Sequence, residues 1–240
     1  MLDEKDLKFD RKKHVCYSGK AKKAVLEYLR GRFTAEETDE IFEKIQYRYE
    51  DFLSDLPYLG GKKSSHNGAG GTYDCILLFA CYDVLDRDMT LDDIYNLNNS
   101  LFLPSFKSMG KVFNLNKPWV MKLAQFAFSR AAREDEKMLT LGAEGYIMKT
   151  EPYDKAEGIR YSFERCPIAE FAKKHGFTEI MPAICNGDYP AMELLHGGLI
   201  REHTCANGDV CDYRIVGDED GRLRLCPKKT DEAGYFYNEI

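Results

Sequence analysis

The sequence predicts an α+β fold, a helical N-terminal half packed on a C-terminal antiparallel sheet with inserted helices. Three observations carry that reading. Apolar residues recur at helical spacing up to about residue 140, alternation of period two replaces it beyond Thr140, and turn segments, PYDKAEG and Ala206-Asn207-Gly208-Asp209, join the alternating runs in two pairs with short helices between them. Residues 1–140 read as a helical region, 141–217 as a cysteine-bearing α+β region and 218–240 as a polar peripheral tail, all three forming one compact unit.

The first helix is expected over Lys20 to Phe33, with Ala24, Val25, Tyr28 and Leu29 on one stripe and Gly31 near its end. Thr34, followed by Glu36 and Glu37, has the chemistry of an N-cap with an acidic first turn, opening a helix to about Phe52. The segment LGGKKSSHNGAGG from Leu59 to Gly71 is rich in glycine and reads as a loop. From Thr72 to Leu85 the chain is too uniformly apolar to expose much surface, which predicts a buried helix with Cys75 and Cys81 in the core. Thr90-Leu91-Asp92-Asp93 resembles a helix start, and Pro118 stands where an N1 proline opens a helix to about Lys137. On that last helix Val120, Leu123, Ala124, Ala127 and Phe128 are expected to point inward. No element is assigned between Asn98 and Asn116.

Beyond Thr140, Tyr146 to Lys149 and Ile159 to Phe163 flank the turn-rich PYDKAEG as a hairpin. Ile168 to His175 reads as a short helix closed by Gly176, and Tyr189 to Leu195 as another. Leu199 to Thr204 and Val210 to Val216 read as two strands joined across Ala206-Asn207-Gly208-Asp209. The tail from Asp218 is polar apart from Leu223, Leu225 and Cys226.

Composition narrows the function. The net charge of −6 with only short basic pieces such as Arg11-Lys12-Lys13 argues against a nucleic-acid partner. No apolar run approaches the roughly 18 residues of a membrane span, and the charged start of the chain does not read as a signal peptide. The expectation is a cytoplasmic protein with no membrane partner, acting on a small molecule. Its eight irregularly spaced cysteines are then free thiols rather than a disulfide framework.

Chemistry-bearing residues concentrate between Arg165 and Tyr213. Cys185 precedes Asn186-Gly187-Asp188 at a helix entry, where Asp188 is either an N-cap or a functional carboxylate. Placed on a strand, Arg201, His203 and Cys205 share one face, and a histidine beside a thiol is a plausible acid/base pair. Cys185 is thus the candidate nucleophile, with Asp188 and His203 as acid/base candidates. Cys166, Cys205 and Cys211 are the alternative metal ligands; no cofactor is expected, zinc being the ion that thiols and imidazole would suit. Arg165 or Arg201 could clamp a substrate carboxylate, and His66 and Asn67 could close over a ligand from the glycine-rich loop. The chain lacks the GxxxxGK[ST], GxSxG, HExxH and GxGxxG motifs.

Taken together, Arg165-Cys166-Pro167-Ile168-Ala169-Glu170, Ile184-Cys185-Asn186-Gly187-Asp188-Tyr189 and the run from Thr204 to Tyr213 resemble the L-2-amino-thiazoline-4-carboxylic acid hydrolase family. The resemblance is best over about Gly145 to Val216, with support from GGTYDCILLFACYDVL. It implies a hydrolase that opens a thiazoline-type cyclic amidine to an N-carbamoyl-cysteine. A fainter similarity of the RCP, CxxD and GDxCDY pieces to vinyl-reductase-type ligand-binding domains implies instead a non-catalytic small-molecule-binding or metal-binding sensor module. In that pattern Arg201 and Thr204 stand where acidic and cysteine ligands are expected.

Overall fold

A computed structural model describes residues 19–61, 64 and 71–239. The helical half comprises α1 (Gly19–Arg30), α2 (Ala35–Asp55), α3 (Gly71–Val84), α4 (Leu91–Met109) and α5 (Pro118–Thr140). Thr34 and Thr90 each close a full capping box, with Glu37 and Asp93 returning the bond, so both helices begin where local chemistry places them. α3 is buried on almost every side and forms the axis of the larger core, where Phe79 stacks between Phe171 and Phe177.

Two expectations for this half need correction. α4 runs through Pro104 to Met109, into the stretch left without an element. On α5, Leu123 and Ala127 face outward rather than inward, while Val120 and Met121 are buried and Ala124 and Phe128 half-buried. The helix presents a narrower apolar stripe to the sheet than its composition suggests, and Trp119, Leu123 and Phe126 remain exposed.

The C-terminal half begins with β1 (Ile147–Thr150) and β2 (Ile159–Arg165), then α6 (Pro167–His175), a 3-10 turn, α7 (Met181–Cys185), α8 (Asp188–Glu193), β3 (Gly197–Ile200) and β4 (Cys211–Gly217). The strands form an antiparallel sheet in the order β1-β2-β4-β3. Its inward face is set by the β2–β4 register, which places Ile159 opposite Ile215, Tyr161 opposite Tyr213 and Phe163 opposite Cys211. This ladder connects two cores. Ile159 and Ile215 pack with Val120, Met121, Tyr189 and Leu199, whereas Phe163 and Cys211 join the larger core around α3. Tyr161 and Tyr213 stand at the junction, stacked with ring centroids 4.5 Å apart.

The expected strand from Leu199 to Thr204 is shorter and lies earlier. β3 ends at Ile200 because the N–H groups of Glu202 and His203 turn to the Asp212 carboxylate, at 2.9 and 2.7 Å, instead of to the β4 backbone. Thr204 N–H then donates to Asn207 Oδ1 at 2.8 Å, closing a local turn. The shared face proposed for Arg201, His203 and Cys205 therefore does not exist.

The last segment holds α9 (Arg222–Leu225), β5 (Lys228–Thr230) and β6 (Phe236–Asn238). Much of it is exposed, yet Tyr235 and Asn238 are buried against the body of the protein.

Candidate active site

The turn between α7 and α8 places Cys185 and Asp188 three residues apart at the cores' junction. Gly187 allows the close approach, since a Cβ there would lie 2.7 Å from Asn98 Nδ2. Asn98 in turn donates to the Ile184 carbonyl at 3.2 Å. From the other side Asn186, fully buried, donates to the Gly234 carbonyl and accepts from Phe236 N–H, both at 2.8 Å. The turn is thus held by α4 and by the final segment.

Asp188 is the first residue of α8 and not its cap. Its Oδ2 receives Arg201 Nη1 and the Tyr213 hydroxyl, both at 2.8 Å, while Oδ1 takes no hydrogen bond among the described residues. The carboxylate side chain keeps 30% exposure against 1% for Arg201. Arg201 also donates from Nη2 to the Cys185 carbonyl at 3.1 Å and lies over the rings of Tyr189 and Tyr213. A guanidinium this deep requires such pairing. Asn238 completes the support by accepting from both Tyr189 Oη, at 2.9 Å, and Arg201 N–H, at 3.1 Å.

Around this network Cys166, Cys185, Tyr161, Phe163 and Tyr213 are each partly accessible. Burial nevertheless dominates their acidity, pushing Cys166 and Cys185 up to about 12 and both tyrosines well above the usual range. Cys185 is therefore a neutral thiol at physiological pH, with the Arg201 charge opposing the dominant effect of burial.

Cys205 and Cys211 form a separate thiol pair. Cys205 N–H donates to Cys211 Sγ at 3.0 Å, and Cys205 Sγ donates to the Phe163 carbonyl at 3.2 Å. The interaction between the two thiols draws Cys205 down and, together with burial, raises Cys211, so the two titrate as a pair. Among the described residues no three His, Cys, Asp or Glu side chains form a group able to hold a metal ion. Cys166, Cys205 and Cys211 are not gathered into such a group, and Cys205 and Cys211 bond within the protein instead.

The remaining candidates disperse. His203 is exposed in the loop after β3 and makes no contact with Cys185 or Asp188. Arg165 is consumed by Glu170, at 2.8 to 3.0 Å, and by Glu144 at 3.4 Å, beside an open surface hollow. Arg201 is within the site but engaged with Asp188, Tyr213 and Cys185, with Nε buried and unpartnered. His66 and Asn67 lie outside the described residues. Tyr213, Asn186 and Asn238 emerge as positioning residues that the sequence did not single out for that role. Only the Tyr213 position, facing the same way as Cys211 along its strand, offered a signal.

The family model described as L-2-amino-thiazoline-4-carboxylic acid hydrolase matches residues 74–215, from α3 through the sheet to β4. Comparisons with curated proteins and with solved structures returned no match. The matched segment is more than half of the chain and contains Cys185, Asp188, Arg201 and Tyr213, and the chain belongs to the L-2-amino-thiazoline-4-carboxylic acid hydrolase family.

Proposed function

We propose that the protein hydrolyses a small cyclic amidine of the thiazoline type at the cluster of Cys185, Asp188 and Tyr213. The observation that carries this reading is the divided Asp188 carboxylate: Oδ2 is fixed by Arg201 and Tyr213, Oδ1 takes no hydrogen bond among the described residues, and the carboxylate is near enough to act electrostatically on the Cys185 thiol. A protonated amidine is a planar cation whose N–H groups match a carboxylate oxygen, and the stacked tyrosines suit a flat ring.

In this scheme Asp188 orients the amidinium so that its central carbon faces Cys185 Sγ. The cation favours loss of the thiol proton, which the free site holds back. Sulfur adds to the carbon between nitrogen and ring sulfur, the carbon–ring-sulfur bond breaks, and the released ring sulfur takes up the proton lost by Cys185. Water then adds to the same carbon, the carbon–Cys185 bond breaks, and the thiol is restored with a ureido product. Asp188 can pass protons in both halves.

Turnover is read as release of a free thiol from L-2-amino-thiazoline-4-carboxylate. Cys185→Ala should lower it at least 1,000-fold, roughly the scale of losing a covalent nucleophile. Unchanged turnover would remove Cys185 from the mechanism. The protonated state of Cys185 favours a second reading, a binding module without chemistry; stoichiometric binding with no thiol release in the native protein is its outcome.

A further inference from the structure

We infer that the exposed face of α5 and the turn before it form a docking surface for an anionic lipid bilayer. Residues 94–133 carry six cations, Lys107, Lys111, Lys117, Lys122, Arg130 and Arg133, and not one Asp or Glu, in a chain whose net charge is −6. Of these cations only Arg130 has an ion-pair partner among the described residues, Glu134 at 2.8 Å. The same stretch exposes large apolar side chains that the core has not taken up: Val112 at 73%, Trp119 at 60%, Leu123 at 46% and Phe126 at 62%.

Position makes this a surface rather than a scatter. Trp119, Leu123 and Phe126 fall at i, i+4 and i+7 of α5 and so share one stripe, with Lys122 beside it and Lys117 at the helix start. Their opposite face, through Val120 and Met121, is fixed to the sheet. Tryptophan, leucine and phenylalanine on an exposed helix stripe bordered by lysines without ion-pair partners match the requirements of the headgroup–acyl boundary. No helix among the described residues is long and apolar enough to cross a membrane, so the contact is along the surface. The charge pattern selects anionic lipid, because free cations gain nothing from a neutral bilayer.

Trp119 is the single tryptophan of the chain and reports its own environment. The 240-residue protein is titrated with vesicles of phosphatidylcholine alone and with vesicles containing about one-quarter phosphatidylglycerol. The expected result is a blue-shifted Trp119 emission with the anionic vesicles only, reversed by high salt. Exchanging Lys117 and Lys122 for glutamine should weaken binding about thirtyfold, at roughly 1 kcal/mol per lysine. No shift with anionic vesicles, or an equal shift with neutral ones, overturns the proposal. So does a shift that follows protein concentration without lipid, which would assign the stripe to a second copy of the chain.

Discussion

Arg201 shows how one side chain can be decided by its neighbours rather than by its own type. In the sequence it is an arginine on a strand, available to bind an anion. In the fold it is buried, because β3 stops one residue earlier and Asp188, Tyr213 and the Cys185 carbonyl receive its guanidinium. The placement of Cys185 and Asp188 on one short turn was legible, since they lie three residues apart. The partner of Asp188 was not, because it comes from 13 residues away, beyond α8 and β3, at a point where Asp212 draws the next two residues out of the strand. This arrangement predicts an asymmetric cost. Asp188→Asn leaves a guanidinium buried without its carboxylate and should destabilise the protein by about 3 kcal/mol in urea unfolding. Arg201→Met removes the buried charge itself, leaves Asp188 free to hydrate, and should cost less. The reverse order would mean that the ion pair is not what holds this region.

At the scale of elements, legibility followed locality. The starts of α2 and α4 were readable because a capping box is contained within four residues. Gly176 closes α6 with φ of +70°, a conformation that glycine adopts without strain. The end of β3 was not readable, since a side-chain carboxylate replaces the neighbouring strand as acceptor. The outward turn of Leu123 was likewise hidden: spacing identifies a helix but does not measure how wide a stripe its partner covers. Thr34→Ala removes the cap of α2 and should cost about 1 kcal/mol. Chemical denaturation checks this, with Thr34→Ser as the variant that retains the bond; equal losses for both would show that the hydroxyl bond contributes nothing.

Over the whole molecule, the sheet's inward ladder joins two cores and the final segment anchors the site between them. The α+β class, the order of helices then sheet, and the hairpins are consequences of a change in hydrophobic period that any reader of the sequence can find. The role of the tail was not legible, because Tyr235 and Asn238 are isolated in a polar stretch and are buried only by what they meet. Burial also sets the pH response. Cys81, Cys166 and Cys185 are raised from 9.0 to about 12 in the folded protein, chiefly by desolvation. The unfolded chain therefore releases these protons first, so their contribution is fully present below pH 9 and is lost as pH rises towards 12. Unfolding midpoints should fall across that window and fall less steeply in Cys81→Ala, whose thiol lies in the core away from Asp188. A midpoint that rises with pH there would reverse the assignment.

In the proposed mechanism Cys185 forms a covalent bond with the amidine carbon while Asp188 holds the ring in place. The most direct measurement of that bond is the mass of the protein after acid quenching during turnover of L-2-amino-thiazoline-4-carboxylate. Addition with ring opening retains every substrate atom, so the prediction is a mass increase equal to one intact substrate, located on the peptide bearing Cys185 and missing in Cys185→Ala. Rapid turnover by a Cys185→Ala protein, or an adduct located on another cysteine, would contradict it.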